Sequence, residues 1–411
     1  MKKAVIIVAI IIGTLILGAV LLLILKPSQP SPPRKISTTQ ELDLYLEEIT
    51  SNSTPPSLSI AVLKDGKWVY KKAFGMADIP RNIPARTTTV YPWYSATKLF
   101  TSTAVLKLVD EEKLSLGDPV KKYLPAYNTV NKDGESVTIT VEQLLNHESG
   151  LPEIIPEGLK WLHFASEAPV VQSEFFENRI KEDYRVVNFT PGSDTSYSNT
   201  GYIVLGVIIE KITGMSYENY VSENILKPLN LESTSFVRTA ELQKRTATGS
   251  QPVIDIFTVL LRVYGDRGLL KQLVREKDNH RMWFEPVYTD YTPSTGLSGT
   301  AENLAKFGYF LMEAEGLEGQ QIENKELLKE MQRPFTKNEL ERKYRKIKQF
   351  GYGLKVWKMT GSRVYGHSGG GPGYAAILAF VPEKNLVIAV NANDTNLKKI
   401  EILKAVMEID W

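Results

Sequence analysis

An uninterrupted apolar run opens the chain. Residues 4–25 contain no charged side chain, and a helix of that length is roughly 33 Å long, enough for a hydrocarbon core of about 30 Å. A cleaved signal peptide is the main alternative, but it would have a shorter apolar region and a small-residue cleavage site. This chain has Lys26 and Pro27 there instead. A buried soluble helix is rarely apolar on all sides. We therefore predict a short tail at 1–3 and a transmembrane anchor at 4–25.

The stretch after the apolar run is rich in proline. Residues 26–36 include Pro27, Pro30, Pro32 and Pro33, and proline favours extended backbone that acts as a semi-rigid spacer. We predict a linker over 26–36 that holds a domain over 37–411 away from the membrane. Basic residues flank the apolar run almost equally, so the positive-inside rule does not set its orientation.

The rest of the chain has strand patterns at both ends and helical patterns between them. Residues 57–63 and 68–74 are β-branched and aromatic runs joined across Asp65-Gly66, a strong hairpin signal. Further predicted strands are 352–359, 363–365, 374–380 and 386–391. The predicted helices are 38–49, 98–112, 141–146, 201–212, 217–225, 254–275 and 397–409.

This order predicts an α+β fold. An antiparallel sheet built from the N- and C-terminal segments, about 37–94 and 290–411, is flanked by helices, and a mostly helical domain at about 95–289 is inserted. The cleft between the two parts is the expected ligand site. The segment 237–283 matches no motif, and we interpret it as part of the helical domain, with a lid as the alternative.

Composition narrows the function. The 49 basic and 47 acidic residues nearly cancel, and without a long basic run we expect no nucleic-acid partner. The chain has no cysteine, which excludes disulfides, thiolate nucleophiles and cysteine metal sites. Neither His163 nor His280 has metal-ligand spacing to another histidine or to an acidic pair. We therefore predict no metal and no cofactor.

A candidate nucleophile lies just before an apolar helical run. Ser95 and Lys98 stand three positions apart, so a helix starting near Ser95 places both on one side, with the serine at the positive end of the helix dipole. A lysine accepts a proton from serine only where desolvation or nearby cations keep it partly neutral. On this motif alone, a helix cap with a surface lysine is the simpler interpretation, because the spacing occurs about once or twice by chance in such a chain.

A second motif, Tyr197-Ser198-Asn199, precedes another helix. It would place a phenol near Lys98 and an amide near the substrate. A phenol with a pKa near 10 is a poor base at neutral pH unless a cation such as Lys98 lies beside it. A plain helix-entry turn is the alternative interpretation.

The third motif is glycine-rich, from Gly366 through His367, Ser368, Gly369 and Gly370. Glycines let a substrate approach the backbone, and a strand-edge N–H can serve as an oxyanion donor. A flexible hairpin loop is the alternative. The run also matches the G-x-S-x-G nucleophile elbow, but that fold needs a histidine after the serine and a parallel sheet. No histidine follows position 367.

In this order, the motifs that begin at Ser95, Tyr197 and His367 resemble those of the serine β-lactamase-related family. That family includes class C β-lactamases, D-alanyl-D-alanine peptidases and related esterases. Segments 144–152 and 297–307 resemble two further family segments. The likeness runs from about residue 39 to the C terminus. It implies a β-lactamase/penicillin-binding-protein-like fold.

The resemblance also implies roles for single residues. Ser95 would be the acylated nucleophile, Lys98 and Tyr197 its proton-transfer partners, and Asn199 a contact to the substrate amide. The backbone N–H groups of Ser95 and Gly370 would form the oxyanion hole.

The resemblance places His367, Ser368, Gly369 and Gly370 in the substrate-binding third motif. The lactamases have a lysine where this chain has His367. A histidine with a pKa near 6.5 is mostly neutral at pH 7, which argues against strong β-lactam hydrolysis. His147, within segment 144–152, is interpreted as a residue that orders a turn.

Together these features predict a membrane-anchored serine hydrolase that forms an acyl-enzyme with a small-molecule or peptide substrate. The scissile bond would be an amide or an ester. By analogy with the family, the catalytic domain would lie outside the cytoplasm, in a single-pass membrane protein. A catalytically silent sensor of peptides or β-lactams is the alternative.

Overall fold

A computed structural model of the chain describes residues 30–33, 35–52, 54–164, 167, 170–236, 239–265, 267–278, 280–319, 324–333 and 349–411. The predicted tail at 1–3 and the predicted anchor at 4–25 lie outside these residues. Within the described ranges, every helix is too short or too polar to cross a bilayer.

The strands are short in the middle of the chain and long at its ends. In chain order they are β1 (Ser57–Lys64), β2 (Lys67–Asp78), β3 (Ile83–Pro84), β4 (Tyr91–Pro92), β5 (Leu162–Phe164), β6 (Thr234–Ser235), β7 (Ser250–Pro252), β8 (Val274–Lys277), β9 (Arg281–Phe284), β10 (Val287–Thr289), β11 (Ser298–Gly299), β12 (Gln349–Phe350), β13 (Lys355–Met359), β14 (Ser362–Gly371), β15 (Tyr374–Val381) and β16 (Leu386–Ala392).

Most of the helices lie between β2 and β12. In chain order the α-helices are α1 (Thr39–Ser51), α2 (Thr97–Asp110), α3 (Val141–Leu145), α4 (Gln172–Phe175), α5 (Asn199–Thr213), α6 (Tyr217–Val221), α7 (Ala240–Arg245), α8 (Ile256–Tyr264), α9 (Arg267–Leu273), α10 (Thr292–Thr295), α11 (Ala301–Glu313), α12 (Lys325–Gln332) and α13 (Lys399–Met407). The first begins with a capping box, in which the Thr38 side chain accepts from the Glu41 N–H and the Glu41 carboxylate accepts from the Thr38 N–H.

One antiparallel sheet organises the described chain. Its strand order is β12-β13-β14-β15-β16-β1-β2-β3. At its centre, Ile60 of β1 lies opposite Val390 of β16 and Lys72 of β2. Because β1 pairs with β16, the two ends of the chain share this sheet. The predicted antiparallel sheet flanked by helices is confirmed.

Each face of the sheet carries its own apolar core. Successive side chains of a strand point to opposite faces, and β15 is buried along its whole length. Ala375 and Ile377 belong to the core shared with α1 and α13, whereas Ala376 and Leu378 belong to the core shared with α2 and α11. Burial on both faces explains why β15 is a continuous apolar run in the sequence.

The middle of the chain contains more strand than its sequence patterns predicted. Three small sheets form there, with the orders β10-β5, β4-β11-β6 and β7-β9-β8. The helix predicted at 254–275 is two helices, α8 and α9, followed by β8. Gly265 ends α8, and its N–H donates to the Leu261 carbonyl, a common role for glycine at a helix end. These short strands form because they pair with segments that are distant in sequence, and a local sequence pattern does not show such pairing.

Candidate active site

The candidate nucleophile lies on a tight turn rather than inside a helix. Ser95 is the middle residue of a 3₁₀ turn, Tyr94–Ala96, and α2 begins two residues later. Tyr94 has a φ of +46°, a region that bulky residues rarely adopt. Its hydroxyl donates to the Pro372 carbonyl at 3.0 Å, and its ring centroid lies 6.4 Å from that of Tyr374. These contacts hold the turn in a shape that presents Ser95 to the cleft.

The glycines of the third motif pack against this turn. A Cβ at Gly369 would lie 1.9 Å from the Trp93 carbonyl oxygen and 3.1 Å from the Ser95 nitrogen. A Cβ at Gly371 would lie 2.5 Å from the ring of Tyr94. Strand β13 pairs with β14 only as far as Gly366. The rest of β14 is therefore an open strand edge that β13 does not cover. This edge packs against the turn that carries Ser95.

Lys98 is buried directly behind the cleft, with none of its surface exposed. Its ammonium donates to Asn199 Oδ1 at 2.5 Å and to the Ser294 carbonyl at 3.0 Å. Burial holds the pKa of Lys98 well below its usual range; the charge of Glu153 opposes this shift and that of Lys355 adds to it. A lysine with a lowered pKa has a neutral fraction at moderate pH that can accept a proton.

Tyr197 lies between several basic groups. Its ring centroid is 4.9 Å from the ammonium of Lys98 and 5.2 Å from that of Lys355. The ring centroids of His147 and His367 lie 4.6 Å and 6.0 Å away. Both lysine side chains therefore lie against the Tyr197 ring. The structure therefore brings together Lys98 and Tyr197, the two predicted proton-transfer partners.

His147 shapes the turn that carries Tyr197. Its backbone carbonyl accepts from the Ser196 N–H at 2.9 Å, and its Nδ1 accepts from the Ser198 N–H at 3.2 Å. The residue has a φ of +64° and is buried. It therefore orders the entry to α5.

Asn199 is the first residue of α5, and both ends of its side-chain amide are engaged inside the protein. Its Oδ1 accepts from Lys98, and its Nδ2 donates to Glu153 Oε1 at 2.7 Å. The backbone N–H of Asn199 donates to the other oxygen of Glu153 at 3.0 Å. The contact of Asn199 with a substrate amide stays a prediction.

Glu153 was missed in the sequence. It directly follows segment 144–152, which resembles a segment of the family. A carboxylate at that position was the feature of the sequence that could have indicated a role for Glu153. Its two oxygens fix the Asn199 amide so that the carbonyl end faces Lys98. Glu153 is therefore a positioning residue for the buried lysine.

His367 lies behind the lining of the cleft, with its ring centroid 6.0 Å from that of Tyr197. It pairs in register with Leu378, and Ser368 pairs with Ile377, so the two side chains point to opposite faces of the sheet. The His367 ring is completely buried, and within the described part of the chain neither of its nitrogens has a hydrogen-bond partner. Burial holds its pKa well below the usual range, and the charges of Lys355 and Lys98 add to the shift. Its role in substrate binding stays a prediction.

The cleft has a volume of about 300 Å³. Its lining residues are Ser95, Tyr197, Phe350, Lys355, Ser368, Gly369, Gly370 and Lys399. Of the predicted site residues, Lys98, Asn199 and His367 lie behind this lining. Phe350, Lys355 and Lys399 were not predicted, because each belongs to an element that no motif marked.

Both lysines of the cleft lining have lowered pKa values. Burial, with Lys399 nearby, lowers the pKa of Lys355 to about 7. Burial lowers the pKa of Lys399 to about 8, and the carboxylate of Asp394 opposes the shift. The wall of the cleft therefore carries two ammonium groups that titrate near neutral pH.

The beta-lactamase family model matches residues 45–406, nearly all of the chain after the predicted linker. The chain belongs to the beta-lactamase family.

Curated relatives share part of this family domain. Protein flp of Staphylococcus aureus (strain N315) is 35% identical over 225 residues, which are 52% of this chain and 43% of flp. A putative D-alanyl-D-alanine carboxypeptidase of Escherichia coli (strain K12) is 32% identical over 193 residues, 44% of this chain and 43% of that protein. The matched region therefore spans less than half the length of these relatives.

Solved structures extend the likeness to most of the chain. The octameric penicillin-binding protein homologue from Pyrococcus abyssi has a TM-score of 0.70 and 28% identity, covering 90% of this chain and 76% of that one. The D-amino acid amidase from Ochrobactrum anthropi SV3 has a TM-score of 0.67 at 20% identity, covering 88% and 96%. At that identity, the amidase shows the fold alone.

Replacing Glu153 with glutamine is expected to lower kcat/KM about 10- to 100-fold, because one of the two oxygens that accept from Asn199 becomes an NH₂ donor. Since the charge of Glu153 raises the pKa of Lys98, the ascending limb of the pH–rate profile is expected to move to lower pH. The measurement is kcat/KM for an ester from pH 5 to 10. The exposed Glu157, changed to glutamine, is the control. An unshifted profile for Glu153→Gln would contradict the positioning role.

The buried imidazoles are expected to make the protein less stable in acid. His147 and His367 have pKa values well below their usual range, so the unfolded chain takes up a proton at each below about pH 6.5 while the folded chain does not. As the pH decreases, the free energy of unfolding then falls by up to about 1.4 kcal/mol per pH unit for each histidine, until the pH reaches the pKa of that histidine in the folded protein. Urea denaturation from pH 7 to 5 measures this slope.

In the same series, His367→Gln is expected to reduce the slope of the unfolding free energy against pH by the contribution of one histidine. The exposed His280 is the matched control, and His280→Gln should keep the wild-type slope. Equal slopes in all three proteins would show that His367 takes up a proton freely in the folded state.

Proposed function

We propose that the chain is a serine hydrolase that cleaves amides or esters through an acyl-enzyme on Ser95. The observation that carries the proposal is the buried Lys98, held by Asn199 and Ser294 at 2.5 and 3.0 Å and covered by the ring of Tyr197. A desolvated amine beside a phenol, behind a serine on a cleft wall, is an arrangement that can accept the serine proton. Membership of the beta-lactamase family supports the same chemistry.

The geometry supports a two-step reaction. In the first step, Ser95 Oγ bonds to the substrate carbonyl carbon while its proton passes to the pair formed by Lys98 and Tyr197. The N–H groups of Ser95 and Gly370 stabilise the carbonyl oxygen as it becomes negative. The bond to the leaving group then breaks, and the leaving group takes the proton from the same pair. In the second step, water attacks the ester carbon, and Ser95 regains its proton as the acid is released.

The names of relatives guide the choice of substrate. One relative is a putative D-alanyl-D-alanine carboxypeptidase, and two structural neighbours are a D-stereospecific amidohydrolase and a D-amino acid amidase. We propose amides and esters of D-amino acids as the first substrates to examine. The buried His367 has a lowered pKa and stands where the lactamases have a lysine, which leaves penicillins as weaker candidates.

The test is hydrolysis of nitrophenyl acetate by the full-length protein in detergent, followed by D- and L-alanine anilide. Turnover that Ser95→Ala removes supports a serine hydrolase, and faster turnover of the D-anilide supports the substrate proposal. Folded protein that hydrolyses none of these compounds would favour the silent sensor instead.

We also propose that residues 4–25 anchor the protein with its catalytic domain outside the cytoplasm. The anchor is supported by the sequence, in which an uncharged apolar run is followed by the proline-rich stretch 26–36. The orientation is proposed by analogy with the family. In intact cells, an external protease should then degrade the domain. A domain that becomes sensitive only after the cells are lysed would contradict this orientation.

A further inference from the structure

Another recess of the molecule lies apart from the cleft and shares none of its lining residues. Its volume is about 270 Å³. One wall is the stretch 77–89, which includes β3, and the other wall is the stretch 243–248, where α7 ends. The chemistry proposed for the cleft uses no residue of this recess.

Cations predominate on both walls of the recess. Arg81 and Arg86 belong to the first wall, and Lys244 and Arg245 belong to the second. Among the described residues of the lining, the one acidic side chain is that of Asp78. The two pairs of cations are far apart in sequence, so only the folded chain brings them together.

The carboxylate of Asp78 is already engaged inside the protein. The Nη2 of Arg275 donates to both of its oxygens, at 3.2 and 3.1 Å, and Thr248 Oγ1 donates to one of them at 2.6 Å. The backbone N–H of Arg81 donates to the other oxygen at 3.1 Å, whereas the Nε of Arg81 remains 3.9 Å from the carboxylate. Asp78 therefore compensates Arg275, and the positive charge of the recess remains.

The cations of the recess have donors to spare. Within the residues that the structure describes, neither Arg86 nor Lys244 forms an ion pair, and both are exposed. Arg245 lies 3.8 Å from the exposed carboxylate of Glu241, and its buried Nε has no hydrogen-bond partner in that part of the chain. Cations that share one recess repel one another, and an anion placed among them removes this repulsion.

Backbone hydrogen bonds join the two walls. The Val90 N–H donates to the Arg245 carbonyl at 2.9 Å, and the Ala247 N–H donates to the Val90 carbonyl at 3.0 Å. The Thr248 N–H donates to the Ala77 carbonyl at 2.9 Å. The walls are therefore in place before a ligand binds, which lowers the entropic cost of binding. The Arg245 carbonyl, at the end of α7, is engaged and is not an open acceptor facing an anion.

The side chains of the recess fit a phosphate group. Arginine presents a planar fork of donors that matches two oxygens of a phosphate, and lysine adds a point charge. A phosphate monoester carries about −1.5 to −2 charges at pH 7, which suits several cations better than a single negative charge would. The exposed Ile83 and Pro84 line the same recess and offer an apolar surface to the organic part of the ligand.

We propose that the recess formed by Arg81, Arg86, Lys244 and Arg245 is a binding site for the phosphate group of a phosphoester. The inference goes beyond the proposed hydrolase function and does not depend on it. The phosphate belongs to a soluble monoester or to the headgroup of an anionic lipid, and the experiment separates these two sources.

The test is isothermal titration calorimetry of the full-length protein in detergent with inorganic phosphate at pH 7.5, with the ionic strength held constant by chloride. The wild type is expected to bind with a Kd of about 1 mM or lower. Arg86→Gln and Lys244→Gln are each expected to raise the Kd about tenfold, because each removes a charge-assisted hydrogen bond. Both side chains are exposed, so both variants should fold.

Matched controls separate the recess from the general charge of the protein and from the cleft. Arg262 and Lys358 are exposed elsewhere on the surface, and Arg262→Gln and Lys358→Gln should keep the wild-type Kd. Lys399→Met, which removes a cation from the cleft lining, should also keep it. Wild-type affinity in both Arg86→Gln and Lys244→Gln would overturn the proposal, as would a loss of binding in Lys399→Met alone.

Two further compounds identify the source of the phosphate. Glycerol 1-phosphate is a monoester, and glycerophosphoglycerol is the diester headgroup of an anionic lipid without its acyl chains. The charge of the recess predicts tighter binding of the monoester, whereas tighter binding of the diester would assign the site to a lipid headgroup. In either case Arg86→Gln should weaken binding. Failure of the wild type to bind any of the three phosphates below about 10 mM would overturn the site.

Discussion

Replacing Lys98 with methionine is expected to lower kcat/KM for an ester about 10³- to 10⁴-fold, because it removes the proposed acceptor of the Ser95 proton. Methionine has a similar length, so the packing around α2 should survive. The protein should also fold, since the change removes a buried amine whose pKa burial lowers. The loss of the donor to Asn199 and Ser294 offsets part of that gain.

The measurement is kcat/KM together with the melting temperature. Lys107, on the same helix, pairs with Glu111 near the surface at 3.3 Å, and Lys107→Met serves as the control. The control should keep wild-type activity. Activity of Lys98→Met within tenfold of the wild type would show that another group deprotonates Ser95.

Adding one methyl group at Gly369 is expected to lower kcat/KM at least 100-fold. The Cβ of alanine would lie 1.9 Å from the Trp93 carbonyl oxygen, a distance that forces the nucleophile turn away from β14. Because this contact is with backbone, no side-chain rotation relieves it. The free energy of unfolding should fall by about 1–3 kcal/mol, as for other overpacked sites.

Urea denaturation and ester hydrolysis measure both effects. At Gly370, the nearest atoms to an added Cβ lie at 3.7 Å or more, so Gly370→Ala should keep the wild-type stability. Gly117, where an added Cβ meets nothing within 4 Å, is the control for both measurements. A Gly369→Ala protein with wild-type stability and activity would mean that the strand edge and the turn do not touch in solution.

Local chemistry was enough to predict the first hairpin. Asp65 and Gly66 both have positive φ, +50° and +71°, and Lys64 lies opposite Lys67, which is the two-residue turn that an Asp-Gly pair favours. The hydrophobic runs on either side then set which residues pair. This part of the fold depends on neighbours in sequence, so the sequence shows it directly.

The walls of the cleft depend on long-range pairing. Whether His367 or Ser368 lines the cleft is set by the register of β14 against β15, and a shift by one residue would exchange the faces of the two side chains. Lys355 and Lys399 reach the site through β13 and α13, which carry no catalytic motif. The motifs predicted that Ser95, Lys98 and Tyr197 lie at one site, because each residue lies on the element that contains its motif.

Covalent labelling tests the central claim most directly. The full-length protein is incubated with a fluorophosphonate, its intact mass is measured, and the labelled peptide is mapped, with Ser95→Ala treated in parallel. We expect one adduct on the wild type, located on Ser95, and none on the variant. An adduct on another residue, or an equal adduct on Ser95→Ala, would contradict the assignment of Ser95 as the nucleophile.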